Sequence, residues 1–157
     1  MAEPTVIHDT FVIERSYRLS AERVFAFLSD PAKKRRWYAA SEPAEGFEMD
    51  FREGGAERSR HRMDETTPFP GVMLANDGTY QDIIPNSRVV LATSMTLGDR
   101  RISSSLVTFE LLETNGATEL ILTHQGAFYE GADGPQMRKD GWAHLLDRFD
   151  KAVADQG

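Results

Sequence analysis

The chain has 157 residues, 40% of them hydrophobic and 27% charged, which suits one globular domain over 1–157 and excludes a mostly disordered polypeptide. Its 18 Lys and Arg against 25 Asp and Glu leave a net charge of -7, so no nucleic acid is expected as a partner. Cysteine is absent, which excludes disulfides and thiol chemistry; no apolar run approaches the roughly 20 residues of a bilayer span, and Met1–Thr10 has no apolar leader, so a cytoplasmic protein without membrane insertion is expected.

From Phe11 to Arg18, Phe11, Ile13, Arg15 and Tyr17 alternate with Val12, Glu14, Ser16 and Arg18, the period of a strand with an aromatic-rich face. Ser20 is placed to cap a helix in which Val24, Phe25 and Leu28 follow at helical spacing. Asp30-Pro31 ends that helix and starts another, because proline's missing N–H costs nothing at a first helical position. This second short helix carries the basic run Lys33-Lys34-Arg35-Arg36, read as a solvated face, and delivers Trp37 and Tyr38. Phe47, Met49 and Phe51 alternate with Glu48, Asp50 and Arg52 in a half-buried strand that turns at Glu53-Gly54-Gly55.

Ala56 to Met63 is polar on both faces, with Arg58, Arg60 and Arg62 opposite Glu57, Ser59 and His61, which predicts an edge or rim strand. After a loop at Thr66–Gly71, a strand runs from Val72 to Ile84, with a bulge expected at Asp77-Gly78. Pro85-Asn86-Ser87 turns the chain into two β-branched runs, Val89–Leu97 and Ile102–Glu113, and Asn115-Gly116 is a strong hairpin signal. Leu120, Leu122 and His124 alternate with Ile121, Thr123 and Gln125 before a glycine-rich loop expected over Gly126–Gly134. Met137, Gly141, Trp142, Leu145, Phe149 and Val153 then share one face of a terminal helix expected over about 135–154. The connections between strands are too short for parallel crossovers. The pattern therefore predicts an α+β fold, a curved antiparallel sheet of six or seven strands around the long C-terminal helix.

This order resembles the helix-grip fold of the START-like (SRPBCC, Bet v-type) superfamily, and within it the activator of heat-shock-protein-90 ATPase homologue-like family. Five motifs carry the resemblance. Arg15-Ser16-Tyr17 leads into Val24-Phe25, and Asp30-Pro31 into Trp37. Asp50-Phe51-Arg52-Glu53-Gly54-Gly55 is similar to the family's D-x-R-x-G-G turn. Gly78-Thr79-Tyr80-Gln81-Asp82-Ile83-Ile84-Pro85 with Arg88-Val89-Val90 resembles its central hairpin. Thr118, Leu120, Leu122-Thr123-His124 and Gly141-Trp142 resemble its closing strand and helix. The resemblance covers about residues 11–155 and implies a seven-stranded sheet curled around the terminal helix with a cavity between them. It implies no single activity, since members include chaperone activators, lipid and hormone binders, and aromatases and cyclases.

Tyr80, Asp82 and Ile84 share a strand face, as do Leu120, Leu122 and His124. Facing inward, Tyr80, Asp82 and His124 would set hydrogen-bonding groups on a mainly apolar wall, the usual make-up of a ligand pocket. The structural alternatives are a His124 that meets a backbone carbonyl and a Tyr80 that caps the core. Arg15 shares its face with Ile13 and Tyr17, and if buried needs a carboxylate; Asp82 is the candidate. Trp37, Trp142, Phe47 and Met49 read as core or cavity wall, with Leu91, Leu122, Leu145 and Phe149 completing the apolar lining. Met73 and Met95 are flexible fillers that suit an adaptable pocket.

His8, His61, His124 and His144 show no metal-ligand spacing, and there is no Walker loop, nucleophile elbow or H-E-x-x-H, so neither metal nor cofactor is expected. The leading expectation is a binding domain for a small hydrophobic or amphipathic ligand. The alternatives are a cavity enzyme such as an aromatase or cyclase, using Tyr80, Asp82, His124 or Arg15 as acid–base groups, and a chaperone ATPase activator-like module. The polar strand and the loop after it suggest sheet edges that pair, so a homodimer is expected.

Overall fold

The computed structural model of the chain describes residues 4–39 and 46–156. Its elements are β1 (Ile7–Tyr17), α1 (Ala21–Ser29), α2 (Pro31–Tyr38), β2 (Phe47–Met49), β3 (Ala56–Arg62), β4 (Met73–Ile84), β5 (Arg88–Leu97), β6 (Arg100–Thr114), β7 (Ala117–Phe128) and α3 (Pro135–Gln156). Seven strands form one antiparallel sheet in the order β1-β7-β6-β5-β4-β3-β2. The long C-terminal helix α3 packs within its curve, the helix-grip arrangement expected above.

Local chemistry accounts for the elements. The Ser20 hydroxyl accepts from the Arg23 N–H at 3.3 Å, and the Asp30 carboxylate accepts from Ala32 N–H at 2.9 Å, with Pro31 opening α2. Each cap satisfies a helix donor that would otherwise lack a partner. Asn115 and Gly116 both have positive φ (53° and 79°), the geometry of the tight turn that matches strand twist between β6 and β7. β1 pairs with β7 over its whole length, from Ile7 opposite Phe128 to Tyr17 opposite Thr118.

The sheet departs from the sequence reading in five places, the first being β1, which begins at Ile7 and not at Phe11 because its ladder with β7 extends that far. β3 is not an edge strand: it lies between β4 and β2, and β2 covers only Glu57–Ser59, leaving Arg60–Arg62 beyond it. The expected strand over Phe47–Phe51 stops at Met49, because the chain folds back on itself. A Cβ on Gly55 would lie 2.0 Å from the Asp50 carbonyl oxygen, so only glycine fits there. The bulge falls between Tyr80 and Asp82 instead of at Asp77-Gly78, and Gly78 stays in register opposite Thr93. β7 runs on to Phe128, into the expected glycine-rich loop, because its ladder with β1 and β6 continues there.

The interior divides along α3. Leu146, Phe149 and Val153 of its C-terminal half are 0–2% exposed and close a core filled by α1 and α2. Trp37 is wholly buried in it, edge-on to Phe149 at 5.0 Å, its indole N–H donating to the Phe27 carbonyl at 2.9 Å. The N-terminal half of α3 stands over a void.

Candidate functional site: a cavity beside the core

A cavity of about 720 Å³ lies between the sheet and the N-terminal half of α3. Its wall follows the strand period of two: Glu57, Ser59 and His61 of β3, and Leu91, Thr93 and Met95 of β5. Val107 and His124 continue it on β6 and β7. Met137, Arg138, Gly141, Trp142 and Leu145 roof it at helical spacing. Phe69 of the β3–β4 loop and Met137, 48% and 63% exposed, mark its mouth.

Leu91, His124, Trp142 and Leu145 are the sequence-named site residues that line this cavity. Trp37, Leu122 and Phe149 instead lie in the solid part of the interior, with Met49 packed against it, because α1 and α2 fill that end; Phe47 is buried beside Tyr38, ring centres 5.8 Å apart, and does not itself line the cavity. Tyr80 is buried behind Glu57, to which its hydroxyl donates. The expected Arg15–Asp82 pair does not form. Arg15 sits on the outer strand β1, beside α3, and its guanidinium reaches Asp147 at 3.1 Å and Asp150 at 3.2 Å. Asp82 lies beyond the bulge and pairs with Arg88 at 2.6 Å across the β4–β5 turn.

Three polar groupings border the cavity. In the first, Lys34 and Glu57 form an ion pair with both side chains almost fully buried. This corrects the reading of Lys34 as solvated. Its ammonium also lies 5.1 Å from the centre of the Tyr38 ring and 5.7 Å from that of Trp37, so aromatic faces replace part of its water. Burial first, then the Glu57 charge, pushes the Tyr38 and Tyr80 phenols far above their usual range, which keeps both protonated.

In the second grouping, Arg138, buried at the start of α3, grips Asp133 through two hydrogen bonds of 2.7 and 2.8 Å and donates to the Ser103 hydroxyl at 2.9 Å. The third is His124, 1% exposed, stacked on Phe11 with ring centres 4.6 Å apart. Burial, reinforced by the Arg138 charge, lowers its pKa to about 4, so the imidazole is neutral near physiological pH. Among the described residues its Nδ1 has no hydrogen-bond partner outside its own main chain.

Sequence reasoning missed Tyr38, Glu57, Ser59, Asp133 and Arg138. For β3 the signal was present: Glu57, Ser59 and His61 alternate strictly, and a polar inward face on a strand inside a sheet marks a wall that borders no packed core. Asp133 and Arg138 left no such signal, since their meeting depends on how the loop before α3 turns. Among the described residues no group of three or more His, Asp or Glu is placed to hold a metal ion, and no helix is long and apolar enough to cross a membrane.

Comparison with known proteins places this geometry. A solved structure of a protein from Rhizobium leguminosarum is 34% identical, with 96% of this chain and 97% of that chain covered at a TM-score of 0.87. The Mll3558 protein from Rhizobium loti is 39% identical, with 95% and 99% covered at 0.85. CalU16 from Micromonospora echinospora, 22% identical, covers 94% of this chain and 77% of its own at 0.62, a likeness of fold. No curated protein matches. Residues 18–154 match the family model described as activator of Hsp90 ATPase homolog 1-like protein, and the chain therefore belongs to that family, within the START-like (SRPBCC) superfamily.

Proposed function

We propose that this protein binds a small, largely apolar molecule in the cavity beneath the N-terminal half of α3. The observation that supports it is the void itself: about 720 Å³ within a domain whose neighbouring half is closely packed. Protein interiors are ordinarily filled to near-crystalline density, and cavities of about 300–1,000 Å³ with a mainly apolar wall and a few placed polar groups are typical of small-molecule sites. Binding ranks ahead of catalysis here, because the acid–base groups expected of a cavity enzyme are dispersed. Arg15 and Asp82 are engaged in ion pairs away from the cavity and Tyr80 lies behind Glu57, which leaves His124 on the wall. It ranks ahead of chaperone activation because that role calls on a partner-binding patch, not on an interior space.

Native mass spectrometry of the purified protein under gentle conditions tests the proposal. A retained small molecule, or stoichiometric uptake of an apolar fluorescent probe by ligand-free protein, is the expected result. Protein that carries nothing and takes up no probe would overturn it.

A further inference from the structure

Arg138 stands in the first turn of α3, its side chain 8% exposed, on the wall of the cavity it helps to line. A guanidinium carries five N–H groups. Nε and Nη2 hold Asp133 side-on at 2.8 and 2.7 Å, and Nη2 gives its other N–H to the Ser103 hydroxyl at 2.9 Å. The Phe128 ring, its centre 5.0 Å from the guanidinium carbon, fixes the group further. Nη1 remains. Among the described residues its N–H groups meet no acceptor, and it is not sealed from open space as Ser105 Oγ is. For a side chain buried this deeply, that open space is the cavity. Buried donors are ordinarily satisfied, so an oriented, unpartnered N–H pair on the wall of a void points to an acceptor from outside the chain.

The same geometry indicates what that acceptor is not. A carboxylate grips a guanidinium through two parallel N–H···O bonds. Asp133 occupies the Nε–Nη2 edge, and the Ser103 hydroxyl takes the Nη2 half of the other edge, so no fork is left for a second carboxylate. Asp133 also matches the Arg138 charge, Lys34 matches that of Glu57, and the His124 imidazole is neutral near physiological pH. Arg148 reaches the lining too, but is exposed to water. An anion brought to Arg138 would therefore lose its water without gaining a counter-ion. A carbonyl oxygen accepts hydrogen bonds and has no proton to place, whereas a hydroxyl group also needs an acceptor.

We infer that the cavity selects an uncharged ligand bearing a carbonyl group, a ketone or ester whose oxygen accepts from Arg138 Nη1. Asp133 is a positioning residue: it aims the guanidinium and, by matching its charge, sets the preference for a neutral ligand over an anion. Trp142 and Leu145 follow Arg138 by four and seven residues on the same face of α3, so the apolar body of the ligand lies beneath them, against Val107 of the sheet. The inference rests on the cavity being a ligand site.

Titration calorimetry of the full chain at near-neutral pH with acetylnaphthalene, isopropenylnaphthalene and naphthoate, all substituted at the same ring carbon, varies the polar group at nearly constant shape. Acetylnaphthalene, the ketone, is expected to bind about tenfold more tightly than isopropenylnaphthalene, the worth of one hydrogen bond from a charged donor, and naphthoate most weakly. The double variant Asp133→Asn with Arg138→Met removes both charges together and should bring the ketone down to the level of the hydrocarbon. Asp133→Asn alone frees the two-nitrogen edge and leaves the Arg138 charge unmatched, so naphthoate should gain about tenfold. Unchanged binding of the hydrocarbon shows that each variant is folded. Infrared spectra of the ketone bound to the natural chain give a readout without any variant: its carbonyl stretch should fall below the value in an apolar solvent. Equal binding of ketone and hydrocarbon to the natural chain, tighter binding of naphthoate, an unshifted carbonyl stretch, or a ketone preference that survives the double variant would overturn the inference while leaving the cavity a binding site. If no probe binds, the binding function falls and the inference with it.

Discussion

The two halves of α3 rest on the same sheet, yet one seals a solid core and the other roofs a void. Phe149, wholly buried in the C-terminal half, meets the rings of Trp37 at 5.0 Å, Tyr17 at 5.6 Å and Phe27 at 6.1 Å. Trp142, nearly two turns earlier, is only partly buried, with Phe109 at 6.0 Å and Tyr38 at 6.3 Å. The difference comes from what faces each half. α1 and α2 push Val24, Phe25, Phe27 and Trp37 into the C-terminal end. Opposite the N-terminal end stand β3 and β5, and on β3 the inward side chains are Glu57, Ser59 and His61, which do not build an apolar core. The Lys34–Glu57 pair stands near the partition between the two regions, close to Trp37 on one side and to Tyr38 on the other. An apolar stripe on a helix thus records which way the helix faces, not whether the space it faces is full.

Substitutions at the packed end should cost most. Phe149→Ala is expected to lose about 3–5 kcal/mol in urea unfolding, the cost of a large cavity in a closed core. Lys34→Met should lose a similar 3–5 kcal/mol, about what an uncompensated buried carboxylate costs, since Glu57 remains without its counter-ion. A neutral Lys34→Met would show that water reaches the partition, and the contrast between the two ends would have to be redrawn.

Acid should reveal the hollow end. The His124 pKa falls from its ordinary 6.5 to about 4 in the folded chain. The unfolded chain therefore binds the extra proton between those values. Its contribution to stability is complete above pH 6.5 and is lost as pH falls through about 4, a total of about 3 kcal/mol. Unfolding free energies of the natural chain and His124→Phe across that window should differ in slope; parallel curves would mean that the imidazole is already hydrated in the cavity.

Smaller effects sharpen the same contrast. Trp142→Ala should cost about 1–3 kcal/mol and alter binding of an apolar fluorescent probe, since part of its ring already borders empty space. A loss as large as that of Phe149→Ala, with unchanged probe binding, would mean a solid interior at both ends. Neighbouring leucines give a paired test. Leu146→Phe, in the packed half, should cost about 1–3 kcal/mol from overpacking, whereas Leu145→Phe should cost less than about 1 kcal/mol and weaken probe binding by occupying the void. The smallest effect belongs to Asp82→Asn. Its pair with Arg88 is more than one-third exposed on both sides, so thermal unfolding should register less than about 1 kcal/mol and probe binding should not move.

The order of strands and helices was legible from alternation and capping, because period, N-cap and hairpin signals are local. Ser20, Asp30-Pro31, Asn115-Gly116 and the α3 stripe each act within a few residues of themselves. The site was legible only in part. Period two placed Leu91 and His124 on an inward face, and period three to four placed Trp142 and Leu145 there, but the same rules placed Leu122 and Phe149 inward as well. Arg15 shows the limit from the other side. Its face is inward, yet β1 is an outer strand, and a long guanidinium there reaches the acidic flank of α3 instead of the interior.

The sequence by itself determined which side chains point inward and where the chain turns, since both follow from backbone geometry over a few residues. Only the tertiary structure decided which inward side chains meet one another and which meet a void. That depends on the volumes contributed jointly by α1, α2, β3, β5 and α3. It also brought Lys34 to Glu57, because the partners available to a buried polar atom come from elements distant in the chain.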